Sequence, residues 1–209
     1  MNLGGIVLEN LNNIIGALKK RNIPAEVFDT KENLKLHLLE EINKDEKVAI
    51  GGSMSVEELG LYDELINRGQ NVLWHWKVAP EKRVELLKEA IFSDVYLCST
   101  NAITEDGKLI NIDGTGNRVA SMFFGPKKVR IIIGKNKIAK DYDSAMSRIK
   151  EVACHKNAIR LDRKTPCASA PKCLDCKSAE RMCTVTTIIE AKPPMVDFKV
   201  YLVNDNLGY

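Results

Sequence analysis

Apolar residues set the rhythm of the chain. In "IVLENLNNIIGALKKRN" they recur at helical spacing, at Ile6, Leu8, Leu11, Ile14, Ile15 and Leu18, and Pro24 closes the segment. "AEVFD" reads as a short strand, "TKENLKLHLLEEIN" as a helix with Thr30 at its N-cap, and "KVAIGG" as a buried strand ending on two glycines. A helix over 55–67, a strand at "NVLWH", a helix over 80–91 and a strand at "DVYLCS" continue the alternation. Helix and strand taking turns at this pitch predict βαβ units, hence an α/β fold with a mostly parallel sheet and flanking helices.

The rhythm changes near residue 100. "NAITEDGKLINIDG" holds two short β-like runs joined at Glu105-Asp106-Gly107, and Asp-Gly predicts a β-hairpin. "TGNRVASMFF" then predicts a helix, "KVRIIIG" an apolar strand, "DYDSAMSRIKEVACHKNAIRL" a long amphipathic helix, and "FKVYLVNDNLGY" a last strand. The expected organisation is one α/β domain over 1–209 with a cysteine segment at 162–190.

Composition narrows the function classes. With 44% hydrophobic and 28% charged residues the chain is of the folded globular kind. Its 31 basic residues are interleaved with 28 acidic ones, net +3, which leaves no basic stripe for nucleic acid. No window approaches the ~18 to 20 unbroken apolar residues of a membrane span, and "MNLGGIVLEN" lacks a basic region followed by an apolar run. The expectation is a cytoplasmic protein with neither a membrane nor a nucleic-acid partner.

Two glycine turns carry candidate chemistry. In "AIGGSMSVEELG" a strand runs into Gly51-Gly52, and Ser55 with Glu58 has the Ser-x-x-Glu spacing of a capping box. In "NIDGTGNRVASM" Asp113, Asn117 and Arg118 surround Gly114 and Gly116. Each turn is complete as a purely structural device. Yet strand-to-helix turns at the ends of parallel strands are also where α/β proteins bind anions, and Thr100-Asn101 leaves a further strand between the two. A guanidinium at Arg118 can grip a carboxylate through two parallel hydrogen bonds, and Glu58 or Asp113 can serve as acid or base. The second turn does not fit a dinucleotide fingerprint, because Val119 stands where glycine or alanine is needed. His37, His75 and His155 read as structural, and Cys98 and Cys154 as packing residues.

Cys167, Cys173, Cys176 and Cys183 fall within seventeen residues as Cys-x5-Cys-x2-Cys-x6-Cys. The central Cys-x2-Cys lets one loop present two sulfurs to one metal, and the outer pair can complete a tetrahedral shell. Arg163, Lys164, Lys172, Lys177 and Arg181 surround the run, a field that lowers thiol pKa values. An iron–sulfur cluster, a closed zinc site and a redox-active thiol pair all remain open on spacing alone.

Together, "GGSMSVEELGLYDEL", the run from "STNAITEDGKLINIDGTGNRVASM" to "GKNKI", and "NAIRLDRKTPCASAPKCLDCKSAERMC" resemble the lactate-utilization (LUD) domain family, specifically its protein C-like, cysteine-bearing members. The resemblance implies a fold similar to the ribose-phosphate isomerase and CoA-transferase group. It also implies a ligand cleft with Gly51, Gly52, Ser53 and Glu58 on one loop and Thr100, Asn101, Asp113, Gly114, Gly116, Asn117 and Arg118 on the other. A role in oxidation of lactate-type organic acids follows, with an iron–sulfur cluster on the cysteine segment and an iron–sulfur or flavin partner protein as electron acceptor. An assembly or sensor subunit with a structural zinc, or a non-redox isomerase or transferase, is the alternative.

Overall fold

The computed structural model describes residues 3–170 and 172–209, with side chains described from residue 11 onward. Ile6 and Leu8 of the first helical pattern, and position 171 of the cysteine segment, lie outside the described side chains.

Along the chain run α1 (Leu3–Lys20), β1 (Ala25–Phe28), α2 (Lys31–Glu41), β2 (Val48–Ile50), α3 (Met54–Leu59), α4 (Leu61–Asn67), β3 (Val72–Trp74), α5 (Arg83–Ala90) and β4 (Val95–Cys98). Next come β5 (Ala102–Thr104), β6 (Leu109–Asp113), α6 (Asn117–Phe123), β7 (Lys128–Gly134), β8 (Ile138–Ala139), α7 (Tyr142–Arg148), α8 (Cys154–Arg160), α9 (Pro166–Ser169), β9 (Val185–Ile189) and β10 (Asp197–Val203). The expected α/β fold with a mostly parallel sheet is what forms. Six parallel strands lie in the order β1-β10-β7-β4-β2-β3.

A parallel sheet is covered on both faces, so its central strands are apolar at every position. β4 shows why: Tyr96 and Cys98 pack on one side with α1, α5 and α6, whereas Val95 and Leu97 pack on the other with α2, α3 and α4. The buried charged exception is Arg130 in β7, held between Glu41 and Asp197 at 2.7 and 2.8 Å near the amino end of the strands, where Lys128 and Lys199 also stand, partly exposed. Tyr201 also donates to Glu41. Burial alone would raise the Glu41 pKa, and the hydrogen bonds from Arg130 and Tyr201 outweigh it and hold the carboxyl below its ordinary value.

The β5–β6 hairpin turns at Gly107, whose φ of +87° only glycine adopts without strain. It belongs to a second, four-stranded sheet in the order β8-β5-β6-β9. β8 and β9 were not legible in the pattern: β8 has two residues, and β9 is largely solvent-exposed at the sheet edge.

Three expected elements differ in detail. The helix over 55–67 is broken at Gly60, φ +65°, into α3 and α4. Its cap is Ser53, whose Oγ accepts from Val56 N–H at 3.3 Å, so the Ser55–Glu58 capping box does not form. Ser55 lies inside the first turn, buried, and donates to Leu207 O. The helix over 80–91 opens with a 3-10 turn at Pro80–Lys82, and the one over 141–161 carries a π-helical stretch at Ile149–Ala153 between α7 and α8. No helix among the described residues is long and apolar enough to cross a membrane.

Candidate functional site

A cleft of about 700 Å³ opens at the carboxyl ends of β2, β3, β4 and β6. The chain segment just after β7 forms part of its floor, and α8 and the last residue, Tyr209, stand at its rim. Strand ends are where an open parallel sheet leaves backbone and side chains free to face a ligand.

Of the residues expected here, Gly52, Ser53, Thr100, Asn101, Asp113, Gly114, Asn117 and Arg118 line the cleft together. Gly51, Gly116 and Glu58 do not. Gly51 donates to Leu97 O, and a Cβ there would come within 2.6 Å of the Tyr96 hydroxyl, so it is a packing glycine. Glu58 is exposed outside the cleft and accepts from the Gly208 N–H at 2.6 Å. Gly116, at φ +86°, shapes the turn. Its N–H and that of Thr115 both donate to Asp113 Oδ1, at 2.8 and 3.1 Å, so this turn does not present those donors to an anion.

Arg118 lines the cleft, but it is no open clamp. Its Nη1 donates to Ser99 O and Asn111 Oδ1, its Nη2 to Asn101 Oδ1 and Ile112 O, and its Nε faces Asp113 Oδ2 at 3.4 Å. The four Nη hydrogens of the guanidinium thus meet protein acceptors, and its Nε is in ion-pair contact with Asp113. The bidentate grip on a ligand expected from sequence is already occupied by the fold: Arg118 ties the end of β4 to β6 and positions Asn101, whose Oδ1 also accepts from Ile112 N–H. Asp113, with one oxygen on the turn and the other toward Arg118, is likewise a fixed carboxylate rather than a free base.

Lys137, Ser99, His75, Trp76, Arg83, Arg160 and Arg163 face the cleft without having been anticipated. Arg160 lies over the Trp76 ring at 4.4 Å and donates from Nε to the Tyr209 hydroxyl at 2.7 Å, closing one side of the mouth. Burial, with Arg83 and Arg160 nearby, lowers the His75 pKa and keeps the ring neutral near pH 7. The amine of Lys137, at the floor, is held down to about 7 by burial and by the charges of Arg148 and Arg118. No local signal in the sequence marks Lys137, because its burial is set by Ser55 and Ser99, which are distant along the chain.

The cysteine segment packs against this cleft. Thr184 N–H and Oγ1 both donate to Asp113 O, at 3.1 and 3.0 Å, and a Cβ at Gly114 would lie 3.2 Å from Met182 O. Cys167, Cys173, Cys176 and Cys183 line one small cavity, and Cys154 from α8 joins them with its sulfur 3.5 Å from that of Cys183. Cys154 and Met182 line both cavities. Cys154, which packs against the small core of Ile110, Ile112 and Ile149 as expected, therefore also joins the thiol cluster, whereas Cys98 is a buried packing thiol whose pKa burial raises to about 12. Lys150 and Arg181 lie beside the thiols and suit thiolate donors to a cluster. Among the described residues no three metal-ligating side chains are close enough to hold a metal ion. The fit to a cluster is thus one of donor chemistry and shared cavity, not of preformed coordination.

No curated protein matches the chain in sequence. Among solved structures, a DUF162 family protein from Deinococcus radiodurans is similar over 95% of this chain and 98% of its own, with a TM-score of 0.55 at 11% identity, which is a likeness of fold. eIF2B delta from Chaetomium thermophilum (TM-score 0.35, 14% identity, 52% of this chain and 48% of that one) and ribose 5-phosphate isomerase from Plasmodium falciparum (0.34, 17%, 53% and 52%) are similar over about half their lengths. The family model for the LUD domain matches residues 11–203, and the chain therefore belongs to the LUD domain family, with a function related to lactate utilisation.

Proposed function

We propose that this protein binds a small organic anion of the 2-hydroxy or 2-oxo carboxylate type in the cleft and carries an iron–sulfur cluster on Cys167, Cys173, Cys176 and Cys183. In this reading it is a cytoplasmic component of organic-acid redox metabolism. The supporting observation is the charge of the cleft. Its walls hold Lys77, Arg83, Arg118, Lys137, Arg160 and Arg163 against only Glu57 and Asp113. Lys77 pairs with Glu57, and Arg118 with Asp113. Among the described residues the other four cations have no carboxylate partner, so the cleft carries a net positive charge that a small anion would offset.

Arg160, Arg163 and Arg83 at the mouth attract the anion, and Thr100, Asn101 and Asn117 offer polar contacts along the wall. A cluster would supply one-electron chemistry beside the cleft, since Cys154 and Met182 border both cavities. No nucleotide-binding fingerprint is present in the sequence, so the electron acceptor in this scheme is an iron–sulfur or flavin partner protein.

Two measurements test the two halves. Calorimetric titration of the full chain with L-lactate, pyruvate and inorganic phosphate should show binding of at least one of them, and no heat from any would overturn the cleft assignment. Protein purified without air should contain iron and acid-labile sulfide in matched amounts, with visible absorption bleached by dithionite. Zinc without iron would remove the redox role and leave the segment as a structural clasp.

A further inference from the structure

Lys137 is 4% exposed and ends the 3-10 turn that follows β7. Its Nζ lies 2.7 Å from Ser55 Oγ, 2.9 Å from Ser99 Oγ and 3.2 Å from Thr100 O. All three must act as acceptors. The Ser55 hydroxyl proton goes to Leu207 O at 3.0 Å, that of Ser99 to Thr100 O at 3.1 Å, and a carbonyl has none to give. The pocket is therefore built for three N–H bonds, which is the ammonium form.

The surroundings oppose that form. Arg118 from α6 and Arg148 from α7 add positive charge, the Cys98 thiol from β4 is neutral, and Glu58 from α3 is turned toward the Gly208 N–H. Asp113 is turned toward Arg118 and its own turn. Among the described residues no carboxylate pairs with Lys137. A buried ammonium with its hydrogen bonds complete and no counter-charge is held at a large desolvation cost. It lines the cleft, from which an anion can approach.

We propose that Lys137 is the seat of the ligand's carboxylate, which takes the place of the longest of its three contacts, the one to Thr100 O, and that binding draws a proton onto its amine. The proposal rests on the cleft being an anion site and adds to it a contact and a proton. In the free protein the amine is largely neutral at about pH 8 and charged at about pH 6, because its pKa lies near 7. A bound carboxylate favours the ammonium and raises that pKa. Above pH 7 affinity then falls about tenfold per pH unit until the bound-state pKa is passed.

Pyruvate is the probe, titrated calorimetrically into the full chain in two buffers of different ionisation enthalpy. The result expected is uptake approaching one proton per site at about pH 8 and close to none at about pH 6. Lys137→Met should abolish the uptake and weaken binding more than about tenfold, the loss of one charge-assisted contact. Binding of pyruvate to the parent with no buffer-dependent heat at the higher pH would overturn the proposal while leaving the cleft reading intact, as would undiminished binding by Lys137→Met. If neither pyruvate, lactate nor phosphate binds the parent at either pH, the cleft reading fails and Lys137 with it. The two-buffer measurement on the parent decides the matter even if the variant does not fold.

Discussion

Arg118 and Lys137 are buried cations that line the same cleft, and they meet the cost of burial differently. Arg118 has protein acceptors for both Nη groups and an adjacent carboxylate, so it supports the structure. Arg118→Met would leave Asn101 Oδ1, Asn111 Oδ1 and two carbonyls short of donors in a buried site. Both amide oxygens keep a backbone donor, so the cost falls mainly on the carbonyls and on the buried Asp113 carboxylate left without its cation, and a loss of about 3 kcal/mol in urea unfolding is the outcome to look for. Lys137→Met should do the reverse at low pH. The folded-state pKa of Lys137 is depressed below its ordinary value, so the unfolded chain binds more protons between about pH 7 and 10, and stability from this group rises with pH across that window. The burial penalty is fully present below pH 7. The variant should therefore be most stable relative to the parent at about pH 6, and its advantage should shrink by about 1.4 kcal/mol per pH unit above 7. Unfolding curves at several pH values check the slope, and a pH-independent difference would mean that Lys137 is not a desolvated amine. The same two residues mark what was legible. Arg118 stood out because glycines and an aspartate cluster around it in sequence; Lys137 did not, because the burial of a lysine is decided by Ser55, Ser99 and Leu207, which are distant along the chain.

Period and punctuation revealed most of the elements, because α2, β2, β4 and β7 have apolar spacing that one type of structure alone can bury. What failed was local. Two serines stand two positions apart at the start of the same helix, and which one caps it depends on where Gly51-Gly52 releases the chain, a tertiary matter. The interrupted helix from α7 to α8 was read as continuous because apolar spacing does not register one extra residue in a turn. That extra residue has a consequence. An α-helix advances about 100° per residue, so removing one from the π-helical stretch turns α8 by about that angle and carries Cys154, Asn157 and Arg160 away from their partners. In metal-free protein under mild oxidation, the parent should form a Cys154–Cys183 disulfide first, since those sulfurs already lie 3.5 Å apart. Deletion of the exposed Val152 should abolish that cross-link in peptide mass spectra. If the deleted protein still forms it, the π-helical stretch does not set the position of Cys154.

Across the molecule the parallel sheet separates two polar clusters by the length of its strands. The amino ends hold Arg130 with Glu41 and Asp197; the carboxyl ends hold the cleft. β7 connects them, and the four steps from Arg130 to Gly134 alone span roughly 13 Å at the usual strand rise. Arg130→Met strands two partly exposed carboxylates, so a loss of about 2 kcal/mol is reasonable, below the range for a fully buried pair. Glu41 has a depressed folded pKa, so its contribution is present above its ordinary value near 4.5 and fades as pH falls through the folded one. The penalty of Arg130→Met should accordingly close under acid conditions. Because no partner is shared across that distance, the free-energy changes of Arg130→Met and Lys137→Met should add in the double variant to within about 0.5 kcal/mol at neutral pH. Anion binding by Arg130→Met should match the parent. A larger coupling, or a weakened cleft in Arg130→Met, would mean that the sheet transmits strain between its ends and that the cleft is not set by its own strand termini alone.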